Sequence, residues 1–142
     1  MPNLRTLFED LERFPLSIIQ LLARIAIGLV FWNSGMTKIA SWETTIVLFR
    51  DEYAVPFLSP DVAATLATMV ELSCPILLMV GFMTRLATLP LLGMTLVIQL
   101  FVYPESWSVH LMWVTVLLFV LTRGPGTLSL DHLLVRRIWS ND

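Results

Sequence analysis

Residues Ala64 to Arg85 read ATLATMVELSCPILLMVGFMTR, an apolar run with one carboxylate, Glu71, near its middle and one arginine, Arg85, at its end. A bare charge at the centre of a membrane segment costs about 2.5–3.5 kcal/mol or more unless something pairs, solvates or neutralises it. Glu71 therefore requires a partner. Working outward, the preceding apolar run, LLARIAIGLVFWNSG, offers Arg24. Each residue lies within about two positions of the midpoint of its run, or ~3 Å at ~1.5 Å per residue, so antiparallel neighbours would hold the two at one depth. An Arg24–Glu71 pair is expected either to fix the register of two helices or to present a carboxylate that handles protons or anchors a ligand.

The rest of the chain agrees with a membrane setting. Of its 142 residues 56% are apolar and 14% charged, and the mean hydropathy is +0.78; a soluble catalytic domain is excluded by that balance. Four apolar stretches of roughly spanning length occupy about 16–36, 62–82, 86–102 and 107–122. The first follows an acidic segment (Glu9, Asp10, Glu12) and has no small-residue cleavage site, so it is expected to be a retained helix and not a signal peptide. The expected fold is all-α, an integral membrane four-helix bundle forming a single domain over 1–142. The single cysteine, Cys74, excludes an intrachain disulfide and a CxxC redox pair.

Four spans place both termini on one side. That side then holds Arg5, Arg13, Arg85, Arg123, Arg136 and Arg137, against Lys38 and Arg50 on the other. By the positive-inside rule the N and C termini are cytoplasmic, in a multi-pass protein of a cytoplasmic membrane.

Before the first span, Leu4, Leu7, Phe8, Leu11 and Phe14 fall at helical spacing away from Arg5, Glu9, Asp10, Glu12 and Arg13, which predicts an amphipathic lead-in on the membrane surface. Within the span, Arg24, Gly28, Phe31, Gly35 and Lys38 recur every three or four residues and share an inward face. The connection SWETTIVLFRDEYAVPFLSPD places Trp42, Ile46, Phe49 and Tyr53 on one face, an interfacial amphipathic helix between spans 1 and 2 that ends before Pro56. Ser59 is expected to cap the second span and Pro60 to sit in its first turn. Inside that span Ala64, Glu71, Pro75, Leu78, Phe82 and Arg85 share a stripe, and Pro75 removes the N–H that would bond the Glu71 carbonyl. Thr88, Thr95, Gln99 and Tyr103 form a polar stripe on the third span, to be turned inward. The fourth ends at Gly124-Pro125-Gly126, before a polar tail.

Lys38, Gln99, Tyr103 and His110 all fall in the outer third, where they could line a polar pocket for a small anion or for the carbonyl oxygens of a quinone headgroup. His110 and His132 are predicted at opposite ends of the bundle, so there is no haem signature; there is also no metal cluster, nucleophile triad or phosphate loop. The expected partners are the lipid bilayer and a protein partner or second copy, not nucleic acid. No self-contained catalytic motif is present.

Three sets of residues together resemble the DoxX family of small four-span bacterial and archaeal membrane proteins. They are Arg24 with GLVFWNSGMTK, Glu71 with GFMTRLA, and the closing GPGTLSLD, over about residues 16–134. The resemblance implies a four-helix membrane bundle. It also implies association with quinone-linked oxidation, as in the thiosulfate:quinone oxidoreductase subunit, or an accessory role beside oxidoreductases. A non-redox protein that binds or moves a small solute, or assists maturation or export of another protein, is the alternative. The pattern also suggests that Arg85 and Asp131 pair on the cytoplasmic side and pin the tail.

Overall fold

The computed structural model describes residues 3–139, apart from the side chains of Arg5, Thr6, Leu7 and Trp139. The expected opposition of Arg5 and Leu7 on the lead-in therefore lies outside the described residues. The order is α1 (Leu4–Glu12), α2 (Leu16–Ala40), α3 (Trp42–Leu48) continued by a π-helical turn (Phe49–Tyr53), α4 (Pro60–Val80), α5 (Thr84–Val97) continued by a second π-helical turn (Ile98–Val102), α6 (Trp107–Arg123) and α7 (Leu130–Trp139). No strand occurs among the described residues. Three helices, Leu16–Ala40, Pro60–Val80 and Thr84–Val102, are long and apolar enough to cross a bilayer, and Trp107–Arg123 is a shorter apolar helix.

These four pack in a ring, α2 on α4, α4 on α5, α5 on α6 and α6 back on α2. One end carries both termini; the far end carries α3 and the α5–α6 connection. The interior mixes an apolar core, with Ile27, Phe31, Leu78, Leu91, Leu117 and Val120, with polar side chains. Arg24, Glu71, Thr68, Thr84, Thr88, Thr95, Gln99 and His110 are buried, whereas Leu22, Leu29, Leu66, Met69, Leu89, Leu96, Leu111 and Met112 are exposed on the outside. Lipid as solvent requires an apolar exterior and turns the polar side chains that remain toward the bundle interior. The hydroxyls of Thr68, Thr88 and Thr95 are satisfied within their own helices, on the carbonyls of Ala64, Thr84 and Leu91 at 2.8, 2.7 and 2.8 Å, whereas Thr84 Oγ1 has no hydrogen-bond partner.

Close contact between α2 and α4 depends on two glycines. A Cβ at Gly28 would stand 2.9 Å from Met79 Cγ, and one at Gly35 would stand 2.8 Å from Leu72 Cδ2 and 3.1 Å from Glu71 Cβ. Small residues thus let the backbones approach, and they also set the register, with Gly35 facing Glu71 and Gly28 facing Pro75 and Met79. α2 runs to Ala40, four residues beyond the predicted end. At the far end α4 rises past α2 and buries Ala63 and Ala64 against Phe49, Ile46 and Tyr53 of the α3 segment.

The local signals differ in outcome. Pro60 occupies the first turn of α4 as expected, but Ser59, although at the N-cap position, makes no side-chain cap bond. α4 continues through Pro75 to Val80, so Phe82 and Arg85 leave the buried stripe and are exposed. The helix closes on Gly81, φ 77°, whose N–H bonds the Leu78 carbonyl at 3.1 Å while the Phe82 N–H reaches that of Leu77 at 2.9 Å, a Schellman motif. The segment after Gly126 is not a plain polar tail, because Leu130–Trp139 is helical.

Candidate functional site

Two buried polar assemblies occupy opposite ends of the bundle. At the far end, Glu71 is 2% exposed and its partner is Lys38. Lys38 Nζ donates to Oε1 at 2.9 Å and stands 2.7 Å from Oε2. That second contact is a close charge contact outside hydrogen-bonding directions, so Oε2 has no hydrogen-bond donor. Ser34 Oγ donates to Oε1 at 3.0 Å and accepts from Lys38 at 3.0 Å, closing a triangle of serine, lysine and glutamate.

The expected Arg24–Glu71 pair is not formed. The reason is helix stagger: Gly35, not Arg24, lies opposite Glu71, and Arg24 is eleven residues down α2 from Gly35, about 16 Å at ~1.5 Å per residue. Equal distance from the midpoints of two runs did not mean equal depth, because α2 is displaced toward the termini end and α4 rises past it at the far end. Lys38, three residues beyond Gly35 on the same face, is the cation within reach.

Lys38 and Glu71 line a cavity of about 350 Å³ together with His110, Tyr53, Tyr103 and Trp113, and with apolar walls from α4 and α5 that include Ala67, Val70, Met94 and Val97. Of the four residues expected to form an outer pocket, Lys38, Tyr103 and His110 line it. Gln99 instead stands behind the wall. Its Nε2 donates to the Pro104 carbonyl at 2.7 Å, which turns Oε1 toward His110 Nδ1, also at 2.7 Å. A carbonyl oxygen can only accept, so Nδ1 carries the proton and Nε2 of a neutral ring is left as an acceptor. The His110 ring lies against Trp113, centroids 5.1 Å apart, and Trp113 against Phe31 at 5.5 Å.

Both π-helical turns border this cavity. They bring the Tyr53 and Tyr103 hydroxyls to 3.3 Å. Burial, and then the bond to Tyr103, pushes the Tyr53 phenol well above its usual range, so it stays a neutral hydroxyl. Ser34, Tyr53 and Trp113 did not stand out in the sequence. Ser34 was legible in retrospect, four residues before Lys38 on the inward face; the periodicity of its connection gave Tyr53 a helix face but not a place at the cavity.

At the termini end, Arg24 is fully buried and joins two backbones. Nη1 donates to the Leu78 carbonyl of α4 at 3.3 Å and Nη2 to the Leu128 carbonyl of the segment before α7. One turn earlier Gln20 Nε2 donates to the carbonyls of Arg123 and Gly124 at 3.0 and 3.2 Å. The closing GPGTLSLD motif is thereby strapped to α2.

Asp131 does not pair with Arg85. Its Oδ1 and Oδ2 accept from the N–H groups of Met83 and Thr84, at 2.8 and 3.0 Å, and its own N–H bonds the Gly81 carbonyl at 2.8 Å. The first N–H groups of a helix lack partners, and the positive end of its dipole favours a carboxylate, so α5 outcompetes an exposed arginine. Arg85 lies along Gly124 instead. Asp131→Ala is therefore expected to lower stability by about 0.5–2 kcal/mol and to speed proteolysis of the tail. Asp131→Asn, which keeps one acceptor oxygen, should cost less; equal losses in thermal unfolding would contradict the cap.

Among known proteins, a family model described as DoxX matches residues 19–104, from the start of the inward face of α2 to the end of the second π-helical turn. The match includes Arg24, Ser34, Lys38, Glu71, Gln99 and Tyr103 and stops before His110 and the GPG strap. Searches of curated proteins and of solved structures returned no match.

Proposed function

Because the chain belongs to the DoxX family of membrane proteins, we propose that it is a subunit or accessory protein of a quinone-linked redox system, whose far-end cavity receives the quinone headgroup. The observation that carries this reading is the lining. Apolar walls suited to a ring and its isoprenoid tail enclose an ammonium donor, Lys38, and an imidazole acceptor, His110 Nε2. A quinone carbonyl needs the first and a quinol hydroxyl the second. A volume of about 350 Å³ lies within the ~300–1,000 Å³ usual for small-molecule sites.

In this arrangement Ser34 and Glu71 hold the Lys38 ammonium at the wall, Gln99 fixes the His110 tautomer, and Trp113 offers its face to the ring. The chain supplies binding and proton-handling groups, while electrons pass to or from a redox centre on a partner protein. The arginine distribution supports cytoplasmic termini in a bacterial or archaeal cytoplasmic membrane, with the cavity toward the outer surface. The exposed apolar faces of α1 and α7, among them Phe8, Leu11, Leu133 and Ile138, suit the cytoplasmic interface.

The test is binding of a short-chain benzoquinone to the purified protein, followed by tryptophan quenching. Saturable quenching is expected. His110→Ala should weaken it by about tenfold or more, the worth of one buried hydrogen bond to a ligand, and Ala67→Phe should abolish it by filling the cavity. Quenching that neither saturates nor responds to Ala67→Phe removes the reading.

A further inference from the structure

The quinone cavity has a smaller neighbour with more hydroxyls in its wall. A second cavity, of about 170 Å³, shares Ser34, Lys38, Phe49 and Tyr53 with the first, and the rest of its wall is Leu48 with four hydroxyl residues, Thr37, Ser41, Thr44 and Thr45. Ser41 and Thr44 are exposed and Thr45 is buried, so the hydroxyls lead from the surface inward.

Their bonds leave acceptor positions free along the wall. Ser41 Oγ and Thr44 Oγ1 are 2.7 Å apart. Thr45 Oγ1 donates to the Ser41 and Lys38 carbonyls at 3.1 and 3.0 Å. Ser34 Oγ, on the same wall, donates to Glu71 Oε1 at 3.0 Å. A hydroxyl that donates to a carbonyl keeps lone pairs that accept from water, and a polar space of this size holds several waters. Glu71 does not itself line this space; Lys38 and Ser34 do, and Lys38 Nζ and Ser34 Oγ both donate to Glu71 Oε1, at 2.9 and 3.0 Å.

We propose that this hydroxyl-lined space is a water-filled inlet through which the Lys38–Glu71 pair exchanges protons with the aqueous phase, alongside the apolar cavity. The inference rests on the quinone reading only for what the protons serve. A quinone reduced to quinol takes up two electrons from the partner's redox centre and two protons, and quinol oxidation returns both to the same places. A headgroup walled by apolar side chains needs a separate wet route for those protons. The other titratable groups facing the pair are His110 of α6 and Tyr53 and Tyr103 of the π-helical turns; His110 and Tyr103 line the quinone cavity alone, and Tyr53 lines both.

Lys38 is the only lysine in the chain, so lysine labelled with a heavy nitrogen isotope gives a single side-chain ammonium signal, and its hydrogen exchange with water reads the inlet directly. Wild-type protein in lipid nanodiscs, with short-chain benzoquinone filling the apolar cavity, should exchange this ammonium rapidly. Thr44→Trp and Ser41→Leu, both at the exposed mouth, should slow it by about an order of magnitude by displacing the water. Melting temperature and benzoquinone binding should not change. Exchange that is slow in the wild type, or indifferent to both plugs, overturns the inlet while leaving benzoquinone binding as measured. Plug-sensitive exchange without benzoquinone binding keeps the inlet and removes the quinone reading.

Discussion

Lys38→Met should destabilise the folded protein by about 3–5 kcal/mol, the cost of leaving a buried carboxylate without its counter-charge. Glu71 is 2% exposed, and of its two neighbouring donors only Ser34 would remain. A hydroxyl compensates a carboxylate incompletely, so the group must either stay charged in an apolar wall or take up a proton. The converse change is milder. Glu71→Gln keeps an acceptor for Ser34, and the Lys38 side chain, 16% exposed, can extend its ammonium toward water. The double change Lys38→Met with Glu71→Leu should return to within about 1–2 kcal/mol of wild type, since an ion pair replaced by apolar groups of similar size is often neutral. Denaturant titration in mixed micelles measures all three. If Lys38→Met and Glu71→Gln cost the same, or the double variant is as unstable as Lys38→Met alone, Lys38 is not the group that compensates Glu71. Arg24→Met is the informative companion. It should loosen the strap and leave benzoquinone binding intact, because Arg24 does not line the far-end cavity.

Gly81→Ala carries the second large effect, at the other end of the bundle. Gly81 has φ 77°, a backbone that costs a residue with a Cβ about 1 kcal/mol. Its Cβ would also stand 2.1 Å from Arg24 Nη1 and 2.6 Å from Ser129 Cβ. Such overlap forces Arg24 off the Leu78 carbonyl or the strap off α4, adding about 1–3 kcal/mol. We expect a total loss of about 2–4 kcal/mol, with protease cleavage appearing between Gly124 and Ser129. Gly93→Ala is the control. It lies in α5 with nothing within 4 Å of an added Cβ, so the better helix former should raise stability by about 0.5–1 kcal/mol. A Gly81→Ala protein as stable and protease-resistant as wild type would show that the strap does not depend on this close approach.

Arg24 and Lys38 show how far the chain could be read before it was folded. Both were legible as inward-facing cations on the first span, and Glu71 as a carboxylate in need of one, but the sequence pointed to Arg24 and the structure supplies Lys38. The choice between them was not legible. Helical period specifies which face a residue occupies, but depth depends on how two helices slide past each other. Contacts at Gly28 and Gly35, made with residues some 40 positions away, decide that sliding. Asp131 shows the same limit. Its place beside the α4–α5 turn could be foreseen from the closing motif, yet its partner was two backbone N–H groups and not the arginine next to them.

What the sequence determined by itself is what depends on local periodicity and composition. That covers the apolar helices, their inward polar stripes, the glycines that permit close packing, the helix stop at Gly124–Gly126 and the four outer residues that gather near one end. Only the tertiary structure decided the Lys38–Ser34–Glu71 triangle, the placement of Gln99 behind His110, the meeting of Tyr53 with Tyr103 through two π-helical turns, and the strapping of the tail by Arg24. Each of these joins groups far apart in the chain, and their separation is set by helix stagger and by the path of a connection. The run from Ala64 to Arg85 thus carries at its centre a carboxylate whose need for a partner is local, and whose partner is not.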